Sequence, residues 1–132
     1  MLNKLIILVA LPGSGKTYWA KSNIPSDGMF IDDINDIKQL IEASVNYKTI
    51  LMADPHLCND RVREIAKSKI MGLFPNLIVE WVYWENAPDK AWKNVCNRND
   101  EREISEAFIK TLAKSYNPPT IDHPVWSKDY VL

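Results

Sequence analysis

Residues 4–17 read Lys4-Leu-Ile-Ile-Leu-Val-Ala-Leu-Pro-Gly-Ser-Gly-Lys-Thr17. An unbroken apolar run of this length suits a strand buried on both faces of a parallel sheet. It passes directly into a Gly-rich turn, and the stretch from Thr17 to Asn23 is compatible with a helix. Strand, glycine loop and helix in that order are the context of a phosphate-binding P-loop. Gly13 and Gly15 allow consecutive backbone N–H groups to curl around an anion, and the helix N-terminus aims its positive end at the same point. With Ser14 between them, these glycines form the cradle; Lys16 is placed to reach the β- and γ-phosphates of ATP and the Thr17 hydroxyl to bind Mg²⁺. The full motif has Gly at position 10, where this chain has Ala10.

The rest of the chain repeats the alternation. Apolar strands are predicted at 29–31, 49–53 and 77–84. Helices are predicted at about 35–45, 59–73 with Val62, Ile65, Ala66, Ile70 and Leu73 inward, 87–97 with Asn86 as its start signal, and from near 101 with Ile104, Ala107, Phe108, Thr111 and Leu112 inward. Asn117-Pro118-Pro119 ends the last helix, and 117–132 reads as an extended tail. Strands alternating with helices define an α/β fold, here a three-layer α/β/α sandwich of the P-loop NTPase type with a mostly parallel sheet of about four strands. With 132 residues, 1–132 is read as a single domain.

A net charge of −1 gives no global field for a polyanion, so nucleic-acid binding would need a local basic groove. Residues 1–60 carry 5 Lys/Arg against 7 Asp/Glu and residues 61–132 carry 11 against 10, so only the later half leans basic. Cys58 and Cys96 stand in no metal-ligand spacing and read as two free thiols of a reducing compartment. The apolar start is too short for a membrane span and has no cleavage site, so the expected location is cytoplasmic.

In open parallel sheets, function gathers beyond the carboxyl ends of the strands. Asp32 and Asp33 end the second strand, where a carboxylate could accept the proton of a hydroxyl attacking the γ-phosphate. Adjacent strand residues point to opposite faces, so one of the pair should face the site. Asp54 ends the third strand at a position suited to ordering Mg²⁺, although Asp-Pro is also a common turn opener. Arg98 and Arg102 lie four apart and would share a helical face if the helix ran on; the capping pattern at Asp100 argues instead for a loop over the phosphates. Trp19, Trp81, Trp84, Trp92 and Trp126 are expected to pack rather than stack on bases. His56 and His123 lie in no ligand pattern.

Lys4 through Ala20 resembles the kinase half of the bacteriophage polynucleotide kinase/phosphatase family, which has a Pro-Gly-Ser-Gly-Lys P-loop followed shortly by Trp-Ala. Ala53-Asp54-Pro55-His56-Leu57, with Arg61 and Arg63 beyond, looks like that family's third-strand Asp segment. Asn97-Arg98-Asn99-Asp100-Glu101-Arg102 is similar to its lid, here about 97–103. The resemblance implies an ATP- and Mg²⁺-dependent kinase with the 5′-hydroxyl of a polynucleotide as acceptor. It implies one of Asp32 and Asp33 as the base, Asp32 preferred as the first of the pair, with Arg102 on the transferring phosphoryl group and Arg98 on the nucleotide. There are departures. Asn35 stands where the family has an Arg, the segment between the second helix and third strand is shorter, and no phosphatase half follows. The acceptor therefore stays open to a nucleoside, a modified base or another small hydroxyl compound, and a regulatory ATPase without an acceptor is the remaining alternative.

Overall fold

The structure is a computed structural model and describes residues 2–98 and 104–125. Four parallel strands form one sheet: β1 (Lys4–Val9), β2 (Gly28–Ile31), β3 (Thr49–Ala53) and β4 (Ile78–Tyr83), in the order β2-β3-β1-β4. Lys4 stands opposite Thr49 on one side and Ile78 on the other, so β1 is central. The helices are α1 (Lys16–Asn23), α2 (Ile37–Ala43), α3 (Asp60–Leu73), α4 (Pro88–Asn97) and α5 (Glu106–Lys114), with a 3-10 turn at Pro55–Cys58. This is the expected α/β architecture.

Right-handed crossovers dictate the layers. From β1 the chain moves outward to the edge strand β2 and then returns, so α1 falls on one face and α2 and α3 on the other. Side-chain alternation along the strands records the same division. Leu5, Ile7 and Val9 join Ile50, Met52, Leu40, Ile70, Ala91 and Ile109 in the larger core. Leu8 joins Ala10, Leu51, Ala53, Val82, Trp84 and Ala20 in the smaller one. Among the described helices, only α1 contributes to the smaller core. Burial on both faces therefore holds at the carboxyl ends of the strands and lapses at their amino ends. There Lys4 and Glu80 form an open ion pair at 2.9 Å and Ile78 is exposed.

Several local expectations change. Helix α2 begins later than residue 35 because Asp36 caps it, with Gln39 completing a capping box. Asn59 caps α3 as expected, accepting from the amides of Arg61 and Val62. That helix is rolled about its axis, however. Ile70 and Arg63 are buried, while Val62, Ile65 and Leu73 are exposed. The Arg63 guanidinium explains the roll. It donates to the Leu57 and Cys58 carbonyls at 2.9 Å each, pairs with Asp60 and lies 5.6 Å from the Tyr83 ring centre. These contacts hold the buried charge between the 3-10 turn and β4.

Asn86 does not cap α4; Ala87 occupies that position, and the Asn86 amide donates to the Ala113 and Tyr116 carbonyls at the end of α5. Helix α5 starts at Glu106 with Ser105 as cap, later than expected. Its buried residues are Ile109 and Leu112, whereas Ala107 and Thr111 are exposed. The segment after Asn117 is extended, but it returns to the sheet: His123 bridges Trp84 in parallel and its carbonyl accepts from the Glu85 amide. The His123 ring sits 4.9 Å from Trp84 and 5.2 Å from Trp19, so packing explains all three rings. Trp126 lies outside the described residues.

Burial pushes the Cys58 thiol up to about 12, whereas Cys96 is exposed. A thiol reagent should therefore modify one cysteine in the folded protein and the second only on unfolding, because the thiolate is the reacting form. Equal reaction rates for both in the native state would contradict the placement of Cys58.

Candidate active site

The turn between β1 and α1 is shaped by two left-handed glycines, Gly13 at φ 91° and Gly15 at φ 88°. Gly15 is also the N-cap of α1, and no side chain caps that helix. The first amides of a helix have no intrahelical acceptor, and those of α1 follow directly from the turn. Ser14 is wholly buried in the same turn, and its Oγ has no hydrogen-bond partner among the described residues. A buried hydroxyl beside a helix N-terminus fits a phosphate oxygen as its partner. Thr17 follows in the first turn of α1 and is half-buried.

Lys16 is only 5% exposed, and its Nζ lies 3.9 Å from Oδ1 of Asp32. Of the predicted carboxylates, Asp32 is thus the one drawn to the P-loop lysine. Its Oδ1 also accepts from the Asp33 amide at 3.0 Å. Asp33 adopts φ 52°, a left-handed conformation that Asp tolerates better than most side chains. Ile34 then re-enters the sheet, its amide donating to Ala53 at 3.0 Å. The twist at Asp33 turns the chain, so the simple rule of opposite faces does not sort this pair.

Asp54 takes the turn-opening role. It caps the 3-10 turn by accepting from the His56 amide at 2.9 Å, and the same Oδ1 meets His56 Nδ1 at 2.9 Å. It also lines a cavity of about 470 Å³ together with Lys16, Asp33, Asn35, His56 and Phe108. This cavity lies beyond the carboxyl ends of β1 and β3, where the strand order reverses.

Helix α4 closes the cradle from above. Asn94 is buried and donates from Nδ2 to the Gly13 carbonyl at 2.9 Å. Asn94 was missed from the sequence; its signal was a polar residue on the same helical face as Ala91 and Arg98. Tyr116 was missed as well. Its hydroxyl contacts the carbonyls of Val9, at 3.1 Å, and Trp84, tying the ends of β1 and β4 beside the P-loop. Burial raises its pKa, keeping the phenol protonated as a donor. Helix α4 stops at Asn97, and Arg98 is its extended C-cap. Arg102, with the rest of 99–103, lies outside the described residues.

Loop, lysine, switch-point cavity and strand order together define an α/β fold of the P-loop type. A crystal structure of a gluconokinase from Sinorhizobium meliloti 1021 shares it, with a TM-score of 0.59 over 98% of this chain and 87% of that one at 12% identity. An uncharacterized protein of Acanthamoeba polyphaga mimivirus is 30% identical, the match covering 91% of each chain. The chain belongs to the family of that viral protein. No protein-family model matches it. Among the described residues, no helix is long and apolar enough to cross a membrane.

Proposed function

We propose that the protein is an ATP-dependent kinase that transfers the γ-phosphoryl group to the hydroxyl of a small acceptor. The observation that carries this is the buried Lys16 at the head of α1, 3.9 Å from Asp32 and opening on the cavity that Asp33 and Asp54 line. The gluconokinase likeness supports a small-molecule acceptor, within a shared fold. The described lining of the cavity supports it too: Lys16 and His56 are its only basic side chains, set against Asp33 and Asp54. The finer reading, a polynucleotide 5′-hydroxyl, rests on the motif resemblance and would need cations along the strand's path.

In this reading the backbone amides of 13–17 and Ser14 hold the β-phosphate, and Lys16 follows the migrating group. An acceptor hydroxyl in the cavity attacks the γ-phosphorus. The bond from phosphorus to the β–γ bridging oxygen breaks, the new P–O bond forms, and Asp32 takes the hydroxyl proton. ADP leaves with the electron pair. Thr17 and Asp54 offer only oxygen donors, which fits Mg²⁺, and that ion when bound neutralises phosphate charge. Arg98, and Arg102 by the motif resemblance, are assigned to the nucleotide and the transferring group.

Labelled ATP offered with gluconate, nucleosides, a 5′-hydroxyl oligonucleotide and water tests the reading. Label on a small hydroxyl compound is expected. Label on the oligonucleotide alone would restore the polynucleotide acceptor, and free phosphate in every case would leave an ATPase. Asp32→Asn should lower kcat by about 10²-fold with nucleotide affinity kept, the usual worth of a general base. Asp33→Asn should act mainly on KM, and a reversed pattern would exchange the two assignments.

A further inference from the structure

The roll of α3 leaves an open seam. Val62, Ile65 and Ala66 on α3 and Ile34 and Ile37 beside and on α2 line a groove of about 210 Å³ floored by Met52. Two of these are strongly exposed for their type, Val62 at 38% and Ile65 at 50%. The groove is no separate patch. Asn35 and Asp54 line both it and the catalytic cavity, so the two volumes adjoin at those side chains. Carboxylates around the combined space are Asp33, Asp36 and Asp54, against the ammonium groups of Lys16 and Lys69; His56 is hydrogen-bonded to Asp54, and Lys16 belongs to the phosphates.

We infer that the acceptor is a small alcohol with an apolar body and no anionic group, its hydroxyl beside Asp32 and Asp33 and its body in the groove between α2 and α3. This rests on the kinase reading above and narrows its substrate. An apolar body would cover Val62 and Ile65, whose exposure to water is otherwise unfavourable. An anionic acceptor would instead meet Asp33 and Asp36, with Lys16 committed to the phosphates and His56 to Asp54, so that Lys69 is the one cation left on the described lining and net like charge disfavours it. Polyhydroxylated acceptors would strand their hydroxyls against aliphatic walls.

A matched pair of probes tests this: 2-phenylethanol and tropate, which is the same alcohol with one added carboxylate. With labelled ATP, 2-phenylethanol should be phosphorylated with kcat/KM at least about tenfold above tropate or gluconate. Ile65→Glu should raise the KM for 2-phenylethanol about tenfold with kcat little changed, a split that general damage to the fold would not produce. Independently of turnover, the methyl resonances of Val62 and Ile65 should shift when 2-phenylethanol is added to protein saturated with a non-hydrolysable ATP analogue, and stay still with gluconate. Preferential labelling of tropate, gluconate or a 5′-hydroxyl oligonucleotide overturns the inference while leaving the kinase reading intact. Unmoved methyls overturn it as well. Shifted methyls with no acceptor labelled would support the groove assignment and remove the kinase reading instead.

Discussion

Lys16→Ala should reduce phosphoryl transfer by about 10³-fold, the scale of losing a charged donor fixed on the migrating group. The side chain is buried beside Asp32; its removal relieves one desolvated charge and leaves a carboxylate that is 24% exposed and can be hydrated. Activity and stability should therefore separate. Transfer collapses, while thermal unfolding moves by a few degrees at most and in either direction. Lys16→Arg should fare little better than the alanine variant, since a planar fork does not reproduce a compact ammonium in a site this enclosed. The check is turnover with labelled ATP beside a melting curve for each variant. Near-normal turnover in Lys16→Ala would remove the P-loop from the chemistry altogether.

Gly13→Ala should be strongly damaging for the addition of a single methyl group. Two penalties coincide there. The backbone sits at φ 91°, where an L side chain is strained, and the new Cβ would lie 2.3 Å from the Ala91 carbonyl oxygen and 2.8 Å from Val95 Cγ2. A carbonyl on a helix cannot rotate aside, so either α4 lifts or the turn opens. Together these should cost about 2–5 kcal/mol and break the Asn94 bond to the Gly13 carbonyl. Gly72→Ala is the natural control. A Cβ there meets nothing within 4 Å, and helix propensity should favour it by about 0.5 kcal/mol. Denaturant unfolding of the two variants reads both signs. A Gly13→Ala protein as stable as the parent would mean that α4 does not rest on the P-loop.

Much of this architecture was legible because two strong signals agree. The apolar runs of β1 and β3 and the Gly13–Gly15 turn point to one arrangement, and the structure has it. What escaped was decided by contacts distant in sequence. The inner face of α3 could not be read from its apolar residues, because the bonds made by Arg63 outweigh the burial of Val62 and Ile65. Asn86 looks like a cap until the end of α5 is brought to it. Asn94 and Tyr116 secure the P-loop turn from positions 81 and 107 residues away from their partners, beyond any local pattern. At the site, the carboxylates were found by their place after each strand, while the joining of cavity and groove depends on how far α3 is rolled.

The central position of β1 has a consequence for how the chain is made. It leaves the ribosome before both of its neighbours, β3 and β4, whose pairing residues opposite Lys4 are Thr49 and Ile78. Until those segments are synthesised, the most apolar strand of the molecule has both edges open and nothing to pair with. Parallel pairing at such sequence separation is slow, because loop closure must precede any contact that rewards it. The Tyr116 tie closes the structure only after the last described helix has been translated. Nascent chains shorter than this should be sticky and protease-sensitive, and the Gly13–Gly15 turn, although it precedes β3 and β4 in the chain, should be among the last features to become rigid.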